Sequence, residues 1–299
     1  MSAGSQIART RLAVLMACHN RRQLTVECLR SIQGQDLPAG HSIDVFVLDD
    51  GSTDGTAEAV VAAYPSAEVI KGDGSLFWGG GMRAAFGAAM ERGYDHYLWM
   101  NDDVTLEPDA IRRMLETYRD LKENRKREAI IVGVFADPET GETSYGGWQS
   151  ISRVFPTRLR PVTSSNEVLA CDAANGNCVL IPAKAATEVG NVDPYFSHRM
   201  GDMDYSFRAR KKGFEIFMVP GVIGKCEQNR DLENRISSVS GVRERWRLFT
   251  SNRGLPVAEW REFNRRHGGP LWPILFLSPY VKFWASAITG FGRSRQQGH

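Results

Sequence analysis

Four short apolar runs, LAVLMAC (12–18), DVFVLDD (44–50), AEVIKG (67–72) and HYLWM (96–100), recur in the first hundred residues, with a helix-like stretch between each and the next. A run of this length suits a buried strand and is too short for a buried helix. Strand and helix alternating at this rhythm predict an α/β fold with a doubly wound, parallel sheet. Each run leads directly into a polar cluster: HNRR, DDGSTD, KGDG and NDDV. In such sheets ligands bind outside the carboxyl ends of the strands, so the four clusters mark one candidate edge.

The intervening segments read as helices. After the first strand, Leu24, Cys28, Leu29 and Ile32 fall on one face. Thr53 or Asp54 is placed to cap TAEAVVAAY. GGGMRAAFGAAMERG reads as a helix that stops at Gly93, and EPDAIRRMLETYRDL as another with Pro108 in its first turn. Further on, AIIVGVF (129–135), NCVLIPA (177–183) and EIFMVPG suit strands, and DYSFRARKKGF (204–214) suits a helix with a glycine stop. With no internal repeat or low-complexity linker, residues 1–240 are expected to form one domain, followed by a basic, aromatic extension over 241–299.

Composition narrows the function. The 299 residues carry 37 Lys and Arg against 35 Asp and Glu, and a net charge of +2 argues against a nucleic-acid binder. Cys18, Cys28, Cys171, Cys178 and Cys226 show no zinc spacing and no disulfide framework, which favours a reducing cytosol. The apolar run Leu12–Cys18 is seven residues long and ends in HNRR without a small-residue cleavage site, so it reads as a strand and not a leader.

The chemistry sits in the acids. A carboxylate buried at a strand end needs a charge partner or a metal. In NDDV, a hard divalent cation would take one or two carboxylates plus substrate phosphates and water. The plainer alternative is a solvated loop with helix-capping acids. Asp49 and Asp50 end the second strand at the same edge, where an acceptor can read a base N–H or ribose hydroxyls. A capped turn accounts for Ser52–Thr56 but not for both of these acids. No G-x-G-x-x-G follows the first strand, which disfavours a dinucleotide-binding dehydrogenase.

In order and spacing, VLMACHNRRQLTVECLRSIQGQ, VFVLDDGSTDGT, WGGGMRAAFGAAMERGYDHYLWMNDDV and GDMDYSFRARKKGF resemble the family 2 glycosyltransferases of the GT-A fold, over roughly residues 10–230. The resemblance implies a nucleotide-binding, doubly wound mixed sheet and inverting transfer of a sugar from a nucleoside diphosphate sugar. It places Ala17, His19 and Asn20, with Asp49 and Asp50, around the nucleoside. NDD stands at the family's DxD motif, so Asp103 is the implied ligand of a divalent cation, Mg²⁺ or Mn²⁺, and Asp102 supports the ribose or the metal. Asn101 departs from the motif's first Asp. Gly80 and Arg83 lie where the family approaches the donor, Arg83 as a candidate diphosphate contact, although an ordinary turn before a helix with a solvated Arg83 also fits. Gly176 and Asn177 match the segment lining the donor sugar. Asp202 falls on the catalytic base, with Gly201 in place of the usual Glu, while Asp204 fits a helix-capping acid above Arg208. Where the family often has a metal-binding His, this chain has VIGKCEQN, with Cys226. His19, His96 and His198 form no triad pattern, and His198 is close enough in sequence to Asp202 to touch an acceptor.

The tail WREFNRRHGGPLWPILFLSPYVKFWASAITGFGRSR barely reaches membrane-spanning length and is broken by Pro273, Pro279 and Lys282. Its basic flanks and Trp260, Trp272 and Trp284 suit either an anionic membrane interface or a packed helix in the domain or a homodimer. The reading expected from the sequence is therefore a cytoplasmic enzyme, acting at the inner face of the cell membrane. It transfers a sugar from dTDP-rhamnose or a UDP-sugar to a glycan or lipid-linked acceptor in surface polysaccharide synthesis, in the manner of the rhamnosyltransferase-like branch. The rivals are a nucleotidyltransferase-like enzyme, against which ACHNRRQ lacks a glycine-rich phosphate loop, and a catalytically degenerate nucleotide-sugar-binding protein.

Overall fold

The structure, a computed structural model, describes residues 10–126, 128–229 and 231–293. Two compact units divide the chain: one holds the chain up to Gln149 with Pro161–Gln228, the other Ser150–Arg160 with the chain from Asn229 onward.

The first unit begins with the expected alternation: β1 (Thr10–Cys18), α1 (Arg22–Gln33), β2 (His41–Asp49), α2 (Thr56–Ala63), β3 (Glu68–Lys71), α3 (Phe77–Arg92) and β4 (His96–Met100). Strands β3, β2, β1 and β4 lie side by side and parallel, with Cys18 opposite Asp49 and Leu15 opposite Trp99. That register brings the carboxyl ends of β1, β2 and β4 to one edge. All five residues of β4 are buried, as a strand covered on both faces requires.

The second half departs from a purely parallel sheet. After β5 (Thr105–Leu106) and α4 (Ala110–Arg125) come β6 (Ala129–Val132), β7 (Phe135–Ala136), β8 (Thr143–Tyr145), β9 (Gly147–Ser150), β10 (Leu159–Pro161), β11 (Leu169–Cys171), β12 (Ala173–Ala174) and β13 (Cys178–Pro182). Then follow α5 (Ala183–Val189), α6 (Gly201–Lys211), β14 (Glu215–Met218) and β15 (Gly224–Lys225). The central sheet has eight strands in the order β11-β14-β6-β13-β4-β1-β2-β3. β13 runs antiparallel between β4 and β6, and β11 antiparallel to β14, so the sheet is mixed.

Local readings shift in four places. The run expected as one strand over 129–135 breaks at Gly133–Val134 into β6 and β7, which join different sheets. A Cβ on Gly133 would lie 2.9 Å from Cys178 Cβ, so a residue without a side chain stands where the chain passes closest to β13. Pro108 precedes α4, whose N-cap is Asp109. Gly55, at φ 80°, takes the N-cap position of α2, while Asp54 still accepts the Thr56 N–H at 3.1 Å. On α1 the buried set is Thr25, Cys28, Leu29 and Ile32, whereas Leu24 is 44% exposed. His96 is a core residue: it packs edge-on against Tyr118 at 4.7 Å, and burial lowers its pKa to about 4, so it is neutral at pH 7.

A small sheet in the order β5-β15-β7-β8 flanks the same edge. Gly224 pairs with Leu106 and Lys225 with Thr105, which carries the next residue, Cys226, back toward the end of β4. A side chain on Gly224 would strike the Thr105 carbonyl at 2.4 Å, so only glycine permits this pairing.

Among the described residues of the second unit, α7 (Asp231–Ser238), α8 (Val242–Phe249), α9 (Val257–His267) and α10 (Trp272–Arg293) carry the regular structure. An aromatic cluster joins α8 to α10: Trp246 meets Tyr280 at 5.7 Å and Phe283 at 5.1 Å, and Phe249 stacks on Phe283 at 5.1 Å. Thr157 donates to Asn264 Oδ1 at 2.8 Å and ties Ser150–Arg160 to α9.

The glycine run of α3 is explained by packing. A Cβ on Gly81 would lie 2.8 Å from Ala17 Cβ and 2.9 Å from Leu48 Cδ2, so the helix axis sits directly on β1 and β2. Alanine favours a helix over glycine by about 1 kcal/mol, but overpacking costs about 1–3 kcal/mol. Gly81→Ala should therefore lower stability, by about 0–2 kcal/mol net of those two terms, as read by urea unfolding. A gain equal to the helix propensity would show that the contact is not tight.

Candidate active site

Asp49 and Asp50, 6% and 4% exposed, are engaged by backbone. Asp49 Oδ1 accepts the Ser52 N–H at 3.2 Å. The two carboxylate oxygens of Asp50 accept the N–H groups of Gly74 and Phe77, each at 2.9 Å, and so anchor the 72–77 loop at the start of α3. His19 Nδ1 lies 2.6 Å from the Asp50 carbonyl, a contact that requires the proton on Nδ1 and leaves Nε2 to accept from Asn20 Nδ2 at 3.1 Å. Asn20 donates its N–H to Ser52 Oγ at 2.8 Å and accepts from the Thr53 N–H at 2.8 Å, lacing the loop after β1 to the GSTD turn. Ala17 is half-buried with its methyl against Gly81.

The NDD sequence meets an arginine. Arg21 Nη1 lies 3.1 Å from Asp102 Oδ1 and 2.7 Å from Asp103 Oδ2, so both carboxylates converge on one cationic nitrogen. Asp102 is 4% exposed; burial pushes its carboxyl up to about 6, with Asp103 adding to the rise and Arg21 opposing it. Asn101 turns away from the acids, and its Oδ1 accepts the Trp78 indole N–H at 2.8 Å. The β4–β13 register places Cys178 opposite Met100, and the Asn101 N–H donates to the Asn177 carbonyl at 3.0 Å. Cys226 Sγ is 3.8 Å from Asp103 Oδ1 and accepts from Asn177 Nδ2 at 3.4 Å. Burial pushes the Cys226 thiol well up, so it is a neutral S–H beside Asp103. Among the described residues no group of three or more His, Cys, Asp or Glu is arranged to hold a metal by itself. A cation here would need oxygens from a ligand as well.

Asp202 stands in the first turn of α6, where the helix dipole favours a carboxylate. Its Oδ2 accepts the Gly176 N–H at 2.9 Å and its Oδ1 the Met203 N–H at 2.7 Å. Burial raises its pKa, while these two N–H groups and the charge of Arg199 oppose the rise. Asp204 is fully buried and paired with Arg208 Nε at 2.7 Å, a structural ion pair. His198 packs edge-on against Phe77 at 6.0 Å.

Trp78 links these parts. A Cβ on Gly176 would lie 2.4 Å from Trp78 Cζ2, and one on Gly201 would lie 3.4 Å from Trp78 Cζ3. The indole therefore lies between the two glycines while its N–H holds Asn101, so Gly201 and Trp78 belong together. Gly80 packs on Leu76, 3.1 Å from where its Cβ would be, and Gly79 N–H donates to the Ser197 carbonyl at 2.7 Å. The missing side chains of Gly79 and Gly81 are accounted for by protein backbone and strand side chains. Arg83 is half-buried; its carbonyl accepts from Asn191 Nδ2 at 2.9 Å, and its guanidinium has no ion pair among the described residues.

Four non-glycine residues have positive φ among the described residues, and Asn20, Phe77 and Met200 of these stand beside the acids. Such backbone costs of order 1–3 kcal/mol and persists where surroundings enforce it. Arg21 and Trp78 were not singled out from the sequence. The signal for Arg21 was the basic pair in HNRR; for Trp78 there was none, because its role depends on glycines far away in the chain.

A family model described as Glycosyl transferase family 2 matches residues 13–171. The undecaprenyl-phosphate mannosyltransferase of Micrococcus luteus is 35% identical over 97 residues, 31% of this chain, which spans 40% of that relative's length. The N-acetylglucosaminyl-diphospho-decaprenol L-rhamnosyltransferase of Mycobacterium tuberculosis is 24% identical over 215 residues, 64% of this chain and 68% of that one. Among solved structures, the mannosyltransferase PcManGT from Pyrobaculum calidifontis, in complex with GDP-Man and Mn²⁺, aligns with a TM-score of 0.57 at 16% identity, over 98% of this chain and 77% of that one. At that identity the likeness shows the GT-A fold.

The buried acid sets a pH dependence. A folded-state carboxyl raised to about 6 binds its proton more tightly than in the unfolded chain, so its contribution is present at low pH and is lost as pH rises through about 6. A rise of about two units corresponds to roughly 3 kcal/mol. With EDTA present, Asp102→Asn should gain about 3 kcal/mol relative to the parent protein between pH 3 and pH 7. Parallel pH profiles for the two proteins would show that Asp102 does not titrate in this way.

Proposed function

The chain belongs to glycosyl transferase family 2, and from that premise we propose that it transfers a hexosyl group, with inversion, from a nucleoside diphosphate sugar to a lipid-linked acceptor. The observation that carries the reading is the meeting of Asp49 and Asp50, the NDD acids and Asp202 at one edge of the sheet, with Gly176 joining Asp202 to the segment beside Asn101. The relatives are named as mannosyl- and rhamnosyltransferases acting on polyprenyl carriers, which supports hexosyl transfer to such a carrier. dTDP-rhamnose and UDP-sugars are the first donors to test, with GDP-mannose added because the fold neighbour holds it.

In this reading Asp202 is the base. It accepts the proton of the acceptor hydroxyl as that oxygen attacks the anomeric carbon, and the diphosphate leaves from the opposite face. Desolvation raises its basicity, and the N–H groups of Gly176 and Met203 fix where its oxygens point. Asp49, Asp50, His19 and Asn20 shape the nucleoside end through the loops that they hold. Arg83, free of an ion pair among the described residues, is available to the diphosphate.

The residues fit a divalent cation: oxygens of Asp102 and Asp103 already converge on a single positive nitrogen. Asp103, supported by Asp102, would hold Mg²⁺ or Mn²⁺ together with diphosphate oxygens, and the ion would neutralise charge on the leaving group. Arg21 supplies the positive charge in its place and would have to yield at least one carboxylate oxygen.

Two measurements test this. Thermal shift and diphosphate release across dTDP-, UDP- and GDP-sugars, with and without Mn²⁺ or Mg²⁺, should single out one nucleotide class with a metal-dependent response. Asp202→Asn should lower transfer by roughly 10²–10⁴-fold while the donor-induced thermal shift persists. Unchanged transfer would remove Asp202 from the chemistry. A folded protein that answers no donor would remove the transferase reading itself.

A further inference from the structure

α10 is apolar on two adjoining faces: one is packed, and the other is largely exposed, touched by α8 among the described residues only where Trp246 meets Trp284 at its edge. Its inner face carries Phe276, Tyr280 and Phe283, which meet α8, α9 and each other: Trp260 donates its indole N–H to the Phe276 carbonyl at 3.2 Å, and Phe276 packs on Tyr280 at 5.5 Å. Its outer face carries Ile274, Leu277, Val281 and Trp284, which are 57%, 52%, 62% and 43% exposed. Their spacing of three, four and three residues puts them in one stripe along the helix. Four consecutive stripe positions without a polar residue are costly in water and are a mark of an interaction surface.

The helix is built to keep this face continuous. Pro273 sits in the first turn, where no N–H is missed. Pro279 cannot donate to the Leu275 carbonyl four residues back, and the Ser278 hydroxyl donates to that carbonyl instead, at 3.0 Å. The helix thus passes through Pro279 with its acceptor satisfied. Even so, no helix among the described residues is long and apolar enough to cross a membrane.

Charge identifies what covers the stripe. From Arg243 onward the sequence has ten Lys and Arg against three Asp and Glu, with Arg295 outside the described residues. Arg243, Arg247, Arg253, Arg261 and Lys282 are exposed and have no ion pair among the described residues. Lys282 directly follows Val281 of the stripe, and α8, which carries Arg243 and Arg247, touches the stripe through Trp246 on Trp284 at 5.3 Å. An apolar stripe with a tryptophan and a rim of unpaired cations matches an anionic lipid interface. Pairing of two copies through the same face would set like charges against each other.

We propose that the outer face of α10 lies in an anionic lipid surface, with Ile274, Leu277, Val281 and Trp284 among the acyl chains and Lys282 with the α8 arginines at the headgroups. Its biological sense rests on the lipid-linked acceptor proposed above, which would be met at that surface. Binding is tested without donor or acceptor, so failure of this surface and failure of the transferase reading can be told apart.

The experiment is co-flotation of the full chain with vesicles of phosphatidylcholine alone or of phosphatidylcholine with a quarter phosphatidylglycerol, alongside tryptophan fluorescence. Binding is expected only with the anionic lipid, accompanied by a blue shift, and weakened several-fold but not abolished by 0.5 M NaCl. The triple substitution Ile274→Asp, Leu277→Asp, Val281→Asp should reduce partitioning at least tenfold. These side chains are exposed, so the circular dichroism and thermal midpoint should hold. Should the triple variant unfold, Val281→Ser alone, with an expected few-fold loss, carries the test. No flotation by the parent chain, or equal flotation by a folded variant, overturns the proposal. A dimer in solution that the substitutions convert to monomer also overturns it, by assigning the face to a second copy.

Discussion

Asp102 and Asp103 leave β4 side by side, and a single guanidinium nitrogen of Arg21 faces both. Two carboxylates at the end of a fully buried strand would repel each other and lose their hydration, each effect costly in a low dielectric. Arg21 counters both effects in part, and its position just after β1 holds it there. Thr25, one turn along α1, is buried with its hydroxyl on the Arg21 carbonyl at 2.9 Å, which fixes the start of the helix that carries the arginine. The parallel pairing of β1 with β4 then sets where that start lies against the acids. The edge of the sheet is thus organised around one cationic position, and the chemistry proposed here uses that position for a metal and a diphosphate.

The same edge is shaped by what is absent. Gly176 and Gly201 lack side chains where the indole of Trp78 fills the space, and Gly81 lacks one where α3 meets β1 and β2. With these glycines in place, Trp78 reaches Asn101, and Asp202 reaches the Gly176 N–H. The departures from the family's pattern are connected in this way. The usual acid is replaced at Gly201 beside Trp78, and Asn101 in turn accepts from that ring and leaves the acids to Arg21. Cys226, brought up by the β5–β15 pairing, completes the set as a neutral thiol beside Asp103.

Much of the fold was legible because it depends on local pattern. The four apolar runs became β1 to β4, and the polar clusters after them did meet at one edge; Asp204, expected as a helix-capping acid above Arg208, instead forms an ion pair with it, while Met200 takes the N-cap position. Misreadings came where a non-local contact decided. Leu24 and Thr25 exchange roles because the buried acid Asp102 lies on the Thr25 side of α1. The run over 129–135 divides at Gly133, whose N–H still donates to Cys178 of β13, because the residues beyond it pair in a different sheet.

By itself, the sequence determined the alternation of strands and helices and the strand ends at which Asp49, Asp50 and the NDD acids stand, since these follow from hydrophobic period and strand length; Asp202 was reached only through the family resemblance. Only the tertiary structure decided which charges neutralise one another, which glycines make room for Trp78, and which face of α10 is left uncovered. Those outcomes depend on strand register and on distances between residues far apart in the chain, and side-chain period carries no information about either.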